Sequence, residues 1–291
     1  MILSQKITCA TRLGELKAIE LLAGAGFDAI DYTMSNMAKN GNALDCDDYK
    51  AYVAALCECA KSNNIIFNQA HGVTGLGAGD PVTEGNLLVE KNKRCLEVCA
   101  LMGIKTLVVH PYGVSAYLGN EEEIFNMNIK YFKSLLPFAE EYGVRLACEN
   151  MWCMDKRRNI RRGSIFANPH EHARMVDEIN SPFFVACLDM GHTAIDGRQP
   201  QDSIRVLGNR LGALHVHDND YLDDMHTLPG LSEMNWEEIT KALAQVNYQG
   251  DFTLETNHFF DSLETEEEIK LGLKLSEVIG RKMIKKIENY K

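Results

Sequence analysis

The sequence predicts an α/β chain folded as a single-domain (β/α)8 TIM barrel over residues 1–291, and three observations carry that expectation. Eight short apolar runs alternate with amphipathic stretches, the order of a parallel sheet whose strands are joined by helices. A glycine able to end a helix stands just before several of the runs, at Gly26, Gly103, Gly143 and Gly250. Most of the runs finish on or beside His, Asp or Glu, and such barrels gather their chemistry at the C-terminal ends of the strands.

Taken in order, the strands read as Ile2 to Cys9, Phe27 to Tyr32, Ile65 to Ala70, Thr106 to His110, Val144 to Glu149, Phe183 to Asp189, Ala213 to His217 and Phe252 to Glu255. The helices between them read as Gly14 to Ala25, Asp47 to Ser62, Glu84 to Met102, Glu121 to Tyr142, Pro169 to Asn180, Pro200 to Leu207, Trp236 to Val246 and Glu264 to Asn289. Asn168 before Pro169 and Asp47 before its helical run are start signals, because each offers a side-chain acceptor to the first free N–H groups.

Composition narrows the class. A net charge of −11 argues against a dedicated nucleic-acid binder, which needs a basic face to displace counterions. The nine cysteines are odd in number, no apolar leader opens the chain, and Cys95 and Cys99 sit one helical turn apart, so they read as buried thiols of a cytoplasmic protein. No CxxC suggests a structural zinc site, and no apolar run reaches the roughly 18 residues of a membrane span, so no membrane partner is expected.

The strand ends carry the chemistry: His71 after the third run, then His110, Glu149, Asp189, His215 and Glu255. The densest stretch, Gly212 to Gly230, holds His215, His217, Asp218, Asp220, Asp223, Asp224 and His226. Buried carboxylates at strand ends need partners. Glu149, Asp189, His215 and Glu255, from four successive strands, form a mostly oxygen donor set suited to one divalent metal, with Mn²⁺ first and Mg²⁺, Co²⁺ or Zn²⁺ also admitted. After Glu149 a basic loop carries Lys156, Arg157, Arg158, Arg161 and Arg162. It reads as a solvated face, or as an anion clamp or lid over the opening. Trp152 at its start is a candidate to stack on a bound substrate.

Nearly the whole chain resembles the xylose-isomerase-like (β/α)8 superfamily of sugar isomerases and epimerases, which also includes endonuclease IV. The resemblance rests on VVHP (Val108 to Pro111), LACEN (Leu146 to Asn150), CLDMGH (Cys187 to His192), LHVHDND (Leu214 to Asp220), DMHTLPG (Asp224 to Gly230) and FTLET (Phe252 to Thr256). It implies that Glu149, Asp189, His215 and Glu255 hold the metal, that Glu149 and Glu255 act as acid and base on opposite sides of it, and that His192 contacts the substrate.

On that reading the partner is a small-molecule sugar, and His71, His110, His217 and His226 serve its hydroxyls. The alternatives are an endonuclease IV-like multi-zinc phosphodiesterase using His71, His110, Glu149, Asp189, His192, His215, Asp224, His226 and Glu255, or a keto-inositol dehydratase or C-glycoside lyase. A homo-oligomer is expected, with Phe259 and Phe260 as exposed aromatics that cap the site or form the contact.

Overall fold

A computed structural model describes residues 1–39, 41–74 and 86–291. Strand β1 (Leu3–Lys6) leads through two turns of 3-10 helix to α1 (Glu15–Ala25), β2 (Ala29–Thr33) to α2 (Tyr49–Ser62), β3 (Ile66–His71) to α3 (Leu87–Met102), and β4 (Thr106–Val109) to α4 (Glu121–Tyr142). After β5 (Arg145–Glu149) comes a hairpin, β6 (Trp152–Asp155) with β7 (Ile160–Gly163), and then α5 (Pro169–Ile179). Strand β8 (Phe184–Asp189) runs directly into α6 (Met190–Ile195) and α7 (Pro200–Leu207). Strand β9 (Leu211–His215) precedes α8 (Trp236–Gln245), and β10 (Phe252–Leu254) precedes α9 (Glu266–Asn289).

The barrel strands are parallel in the order β10-β1-β2-β3-β4-β5-β8-β9. The ring closes where Val216 N donates to Thr253 O (2.9 Å) and Glu255 N to Val216 O (3.0 Å). The eight expected strands are therefore all present, with ends shifted by at most three residues. The first is the most shortened, because residues 7–13 turn as 3-10 helix instead of continuing to Cys9.

Helix signals acted locally as expected. Asn168 accepts from His170 N (3.1 Å), and Gly26, Gly103 and Gly143 take the left-handed conformation that ends α1, α3 and α4. Gly250 does not; the reversal after α8 falls on Asn247, and Gly250 is needed because a Cβ there would lie 2.2 Å from the Tyr248 hydroxyl. Helix α2 starts after Asp48 rather than Asp47. Helix α3 starts after Asn86, whose side chain accepts from Leu88 N (2.9 Å), and the expected start at Glu84 lies outside the described residues.

Most apolar burial lies between the sheet and the helices, but inside the barrel a small layer packs separately: Val108, Ala147, Cys187 and Ala213. Side chains on a strand alternate, so the residues two further on, His110, Glu149, Asp189 and His215, share that inward face one level nearer the mouth. All nine cysteines are free thiols. No helix among the described residues is long and apolar enough to cross a membrane. Phe260 is fully buried and packs in the core, so it is not the exposed aromatic the sequence suggested; Phe259 is half-buried against it.

His172 on α5 gives the fold a measurable acid weakness. Its ring is fully buried, stacks on Phe166 (5.1 Å) and donates from Nε2 to Cys148 O (2.9 Å). Burial holds its pKa down to about 4, below the ordinary histidine value of 6.5. The folded chain therefore resists a proton that the unfolded chain accepts, and the stability present above 6.5 is lost as pH falls toward 4, by at most roughly 3 kcal/mol. His172→Gln keeps a donor for Cys148 and cannot titrate. Urea unfolding at about pH 7 and about pH 4.5 should show a smaller acid loss for the variant than for the unmodified chain; equal losses would sink the assignment.

Candidate active site

Each of the eight barrel strands contributes one polar side chain to the mouth, seven at or just past the strand's C-terminal end and Asp31 from the middle of β2: Lys6, Asp31, His71, His110, Glu149, Asp189, His215 and Glu255. Seven of these are buried, and His110 is the more open member. Lys6 and Asp31 were not singled out from the sequence. Reading the first run on to Cys9 put its end three residues past Lys6, and Asp31 is placed by the pairing of β1 with β2, which the sequence does not show.

At the centre, His215 Nδ1 lies 2.7 Å from Glu149 Oε1 and 2.9 Å from Glu255 Oε2. His71 Nε2 and His110 Nε2 approach the other oxygen of Glu149 at 3.3 and 3.1 Å. Lys6 Nζ contacts Glu255 Oε1. Asp189 is held from several sides. Its Oδ1 accepts from His192 N (2.7 Å) at the start of α6, its backbone N donates to Asn150 Oδ1 (2.8 Å), and His217 Nε2 donates to its carboxylate (3.0 Å).

His217, expected on the substrate, is instead fully buried behind Asp189 and stacked on His226 at 4.0 Å. Gly191 makes room for it, because a Cβ there would lie 1.9 Å from the His217 ring.

A second group lies further out. His192 Nε2 is 3.6 Å from Asp224 Oδ2, and His226 Nε2 is 3.2 Å from Asp224 Oδ1. Both rings donate Nδ1–H to backbone carbonyls, His192 to Asn150 O and His226 to Glu255 O, each at 2.8 Å, which fixes Nε2 toward Asp224. Trp152 Nε1 donates to Asp224 Oδ2 (2.9 Å), and Arg161 lies over the indole (5.0 Å) while pairing with Asp223.

The hairpin that carries the basic run is thus tied to the 220–226 loop. Its tip residues Lys156, Arg157 and Arg158 are exposed. The rest of the dense stretch is loop architecture. Asp218 accepts from Gly230 N, Met234 N and Trp236 Nε1, and Asp220 accepts from Leu222 N and Asp223 N.

Burial and neighbouring charge act against each other across the site. Burial would raise the Glu149 and Glu255 carboxyls, yet His215 with His110, and His215 with Lys6, hold them well below the usual range. In turn burial would lower His215, and Glu255 and Glu149 push it well above its ordinary value; Asp189 and Asp224 do the same to His192. Asp31, buried and without a hydrogen bond, is pushed up to about 6 by burial.

Glu149 Oε2, Glu255 Oε2 and Asp224 Oδ1 are buried acceptors whose near neighbours are imidazole nitrogens, at 3.1, 2.9 and 3.2 Å. Glu149, Asp189, His215 and Glu255 offer ligand atoms all within 4.8 Å of one another, as do His71, His110 and Glu149, and His192, Asp224 and His226. Three carboxylates and an imidazole with ligand atoms this close together fit a divalent metal.

A family model described as xylose isomerase-like TIM barrel matches residues 19–276. An uncharacterized protein of Methanocaldococcus jannaschii is 28% identical over 204 residues, 69% of this chain and 66% of that one, so the match spans just under two thirds of its length. A D-psicose 3-epimerase of Enterocloster bolteae is 27% identical over 246 residues, 82% of this chain and 75% of that one. Among solved structures, the IolI protein with a bound zinc atom superimposes with a TM-score of 0.76 at 19% identity, covering 100% of this chain and 99% of that one.

Proposed function

The chain belongs to the xylose isomerase-like TIM barrel family, and from that premise we propose that it is a divalent-metal-dependent sugar isomerase or epimerase acting on a hydroxy-ketone, either a ketose or a keto-polyol. One observation carries the reading: Glu149 and Glu255 come within hydrogen-bond reach of the same His215 nitrogen, so two carboxylates flank a single cation-fitting point. Glu149, Asp189, His215 and Glu255 would hold the cation, with Mn²⁺ the best match to an oxygen-rich set with one imidazole. When bound, the cation supplies positive charge to two adjacent substrate oxygens and so acidifies the hydrogen on the carbon beside the ketone.

One of the two glutamates takes that proton, giving an enediolate, and the other returns a proton to the same carbon from the opposite face. His71, His110, His192 and His226 present ring nitrogens for the sugar oxygens, and His217 orients Asp189 from behind. Trp152, tied to Asp224, forms one wall for the sugar. The curated epimerase relative supports this substrate class. Self-association completes the proposal and is read as molar mass by light scattering; the mass of a single chain would refute it.

The test is solvent exchange. The Mn²⁺-loaded protein, incubated with a panel of ketoses and keto-polyols in D₂O, should replace the hydrogen beside the ketone of one of them with deuterium, seen by proton NMR. No exchange on any member would count against the reading.

A second reading has a specific observation behind it. His192, Asp224 and His226 form a complete ligand group of their own, with both rings locked by backbone carbonyls. His71, His110 and Glu149 form another. On this reading the chain is a multi-zinc phosphodiesterase resembling endonuclease IV. Its net charge of −11 weighs against a nucleic-acid substrate. Zinc near three equivalents together with cleavage of abasic DNA would favour it; about one equivalent and no cleavage would favour the epimerase.

A further inference from the structure

Of the eight inward side chains at the barrel mouth, four are carboxylates, three are imidazoles and one is Lys6. Its place is set by the backbone. On β1 it shares the inward face with Ser4, whose hydroxyl donates to Asn68 inside the barrel, while Gln5 points out to Ser276 on α9. Parallel pairing puts Lys6 level with Asp31, and Gln5 level with Leu254, the residue before Glu255. The ammonium therefore arrives between two carboxylates. It contacts Glu255 Oε1, while Glu255 Oε2 turns to His215 Nδ1 at 2.9 Å. At 8% exposed, the residue is largely buried.

Building on the assignment of Glu255 to proton transfer, we infer that Lys6 is a positioning residue for Glu255, and that its fixed charge also weakens the site's hold on the metal. Both effects follow from one contact. An ammonium on Oε1 fixes the rotation of the carboxyl, so Oε2 stays aimed at the metal group and the substrate carbon. The same unit charge sits beside the cation's ligands in a buried setting, where like charges repel strongly. Asp31, buried and without a hydrogen bond, offsets part of that charge.

Removing the ammonium thus has two opposite consequences: the cation binds more tightly and turnover slows. A lysine with only a structural role would weaken both together, because the ligand set would loosen.

The experiment is Mn²⁺ titration of the metal-stripped chain by calorimetry, with no sugar present, alongside kinetics on the substrate found by solvent exchange. Lys6→Met is expected to lower the Kd for Mn²⁺ by at least about tenfold and kcat by at least about 10²-fold, with KM changed by under about threefold. Lys6→Arg, which keeps the charge, should retain the original Kd. Lys6→Met with Asp31→Asn removes a charge of each sign, and should return the Kd to within about threefold of the starting protein while kcat stays low.

If Lys6→Met does not fold, Lys6→Gln and Lys6→Arg carry the same comparison. A Lys6→Met chain that binds Mn²⁺ no more tightly, or that keeps full kcat, overturns the inference alone. A starting protein that binds no Mn²⁺ overturns the metal reading together with it.

Discussion

Glu255→Gln is expected to lower turnover on the true sugar by about 10³-fold while bound metal stays unchanged. The carboxamide keeps an oxygen for the cation and fills the same volume, so what it loses is the ability to exchange a proton with carbon. Glu149→Gln should cost a similar amount, because both carboxylates reach the same His215 nitrogen and epimerisation needs a proton carrier on each face.

The single variants separate in solvent exchange. Each should still exchange deuterium into the one epimer whose hydrogen faces the surviving glutamate, and into no other. Full turnover in Glu255→Gln at unchanged metal content would remove both residues from the acid-base roles.

Stripping the metal with a chelator should abolish activity and lower Tm by about 5–10 °C, both restored by adding Mn²⁺. The reason is the charge placed inside the mouth. Asp31, Glu149, Asp189 and Glu255 are buried together, and Lys6 is the one lysine or arginine in their ring. Without the divalent charge the imidazoles must hold protons to compensate, which is the direction in which His215 and His192 are pushed. Buried like charges that lose their counter-ion destabilise the fold as well as the reaction. Differential scanning calorimetry before and after chelation gives the answer, and an unchanged Tm would mean that the cluster is satisfied by its own histidines.

By itself, the sequence determined the barrel and most of its mouth. Strand-helix alternation and helix-ending glycines are local properties, set by side-chain period and backbone preference, so eight strands could be read directly. Six chemical side chains followed from the rule that strand ends face the opening. Where the sequence fell short, the missing information was a register or a depth. Lys6 and Asp31 join the site only because β1 and β2 pair level with each other and turn those two positions inward.

His217 looked equivalent to His215 in the chain, yet two residues further on it passes behind Asp189, into space that Gly191 leaves open. Asp218 and Asp224 carry the same side chain in the same loop. One bonds the loop's own N–H groups and Trp236, while the other faces two histidines. The basic run read as a solvated face, clamp or lid became a hairpin anchored to the loop after β9 by Trp152 and Arg161, and Phe260 turned inward to the core. Each of these outcomes depends on which distant segment packs against the residue, and that is settled only when burial and hydrogen bonding are satisfied for the whole barrel at once.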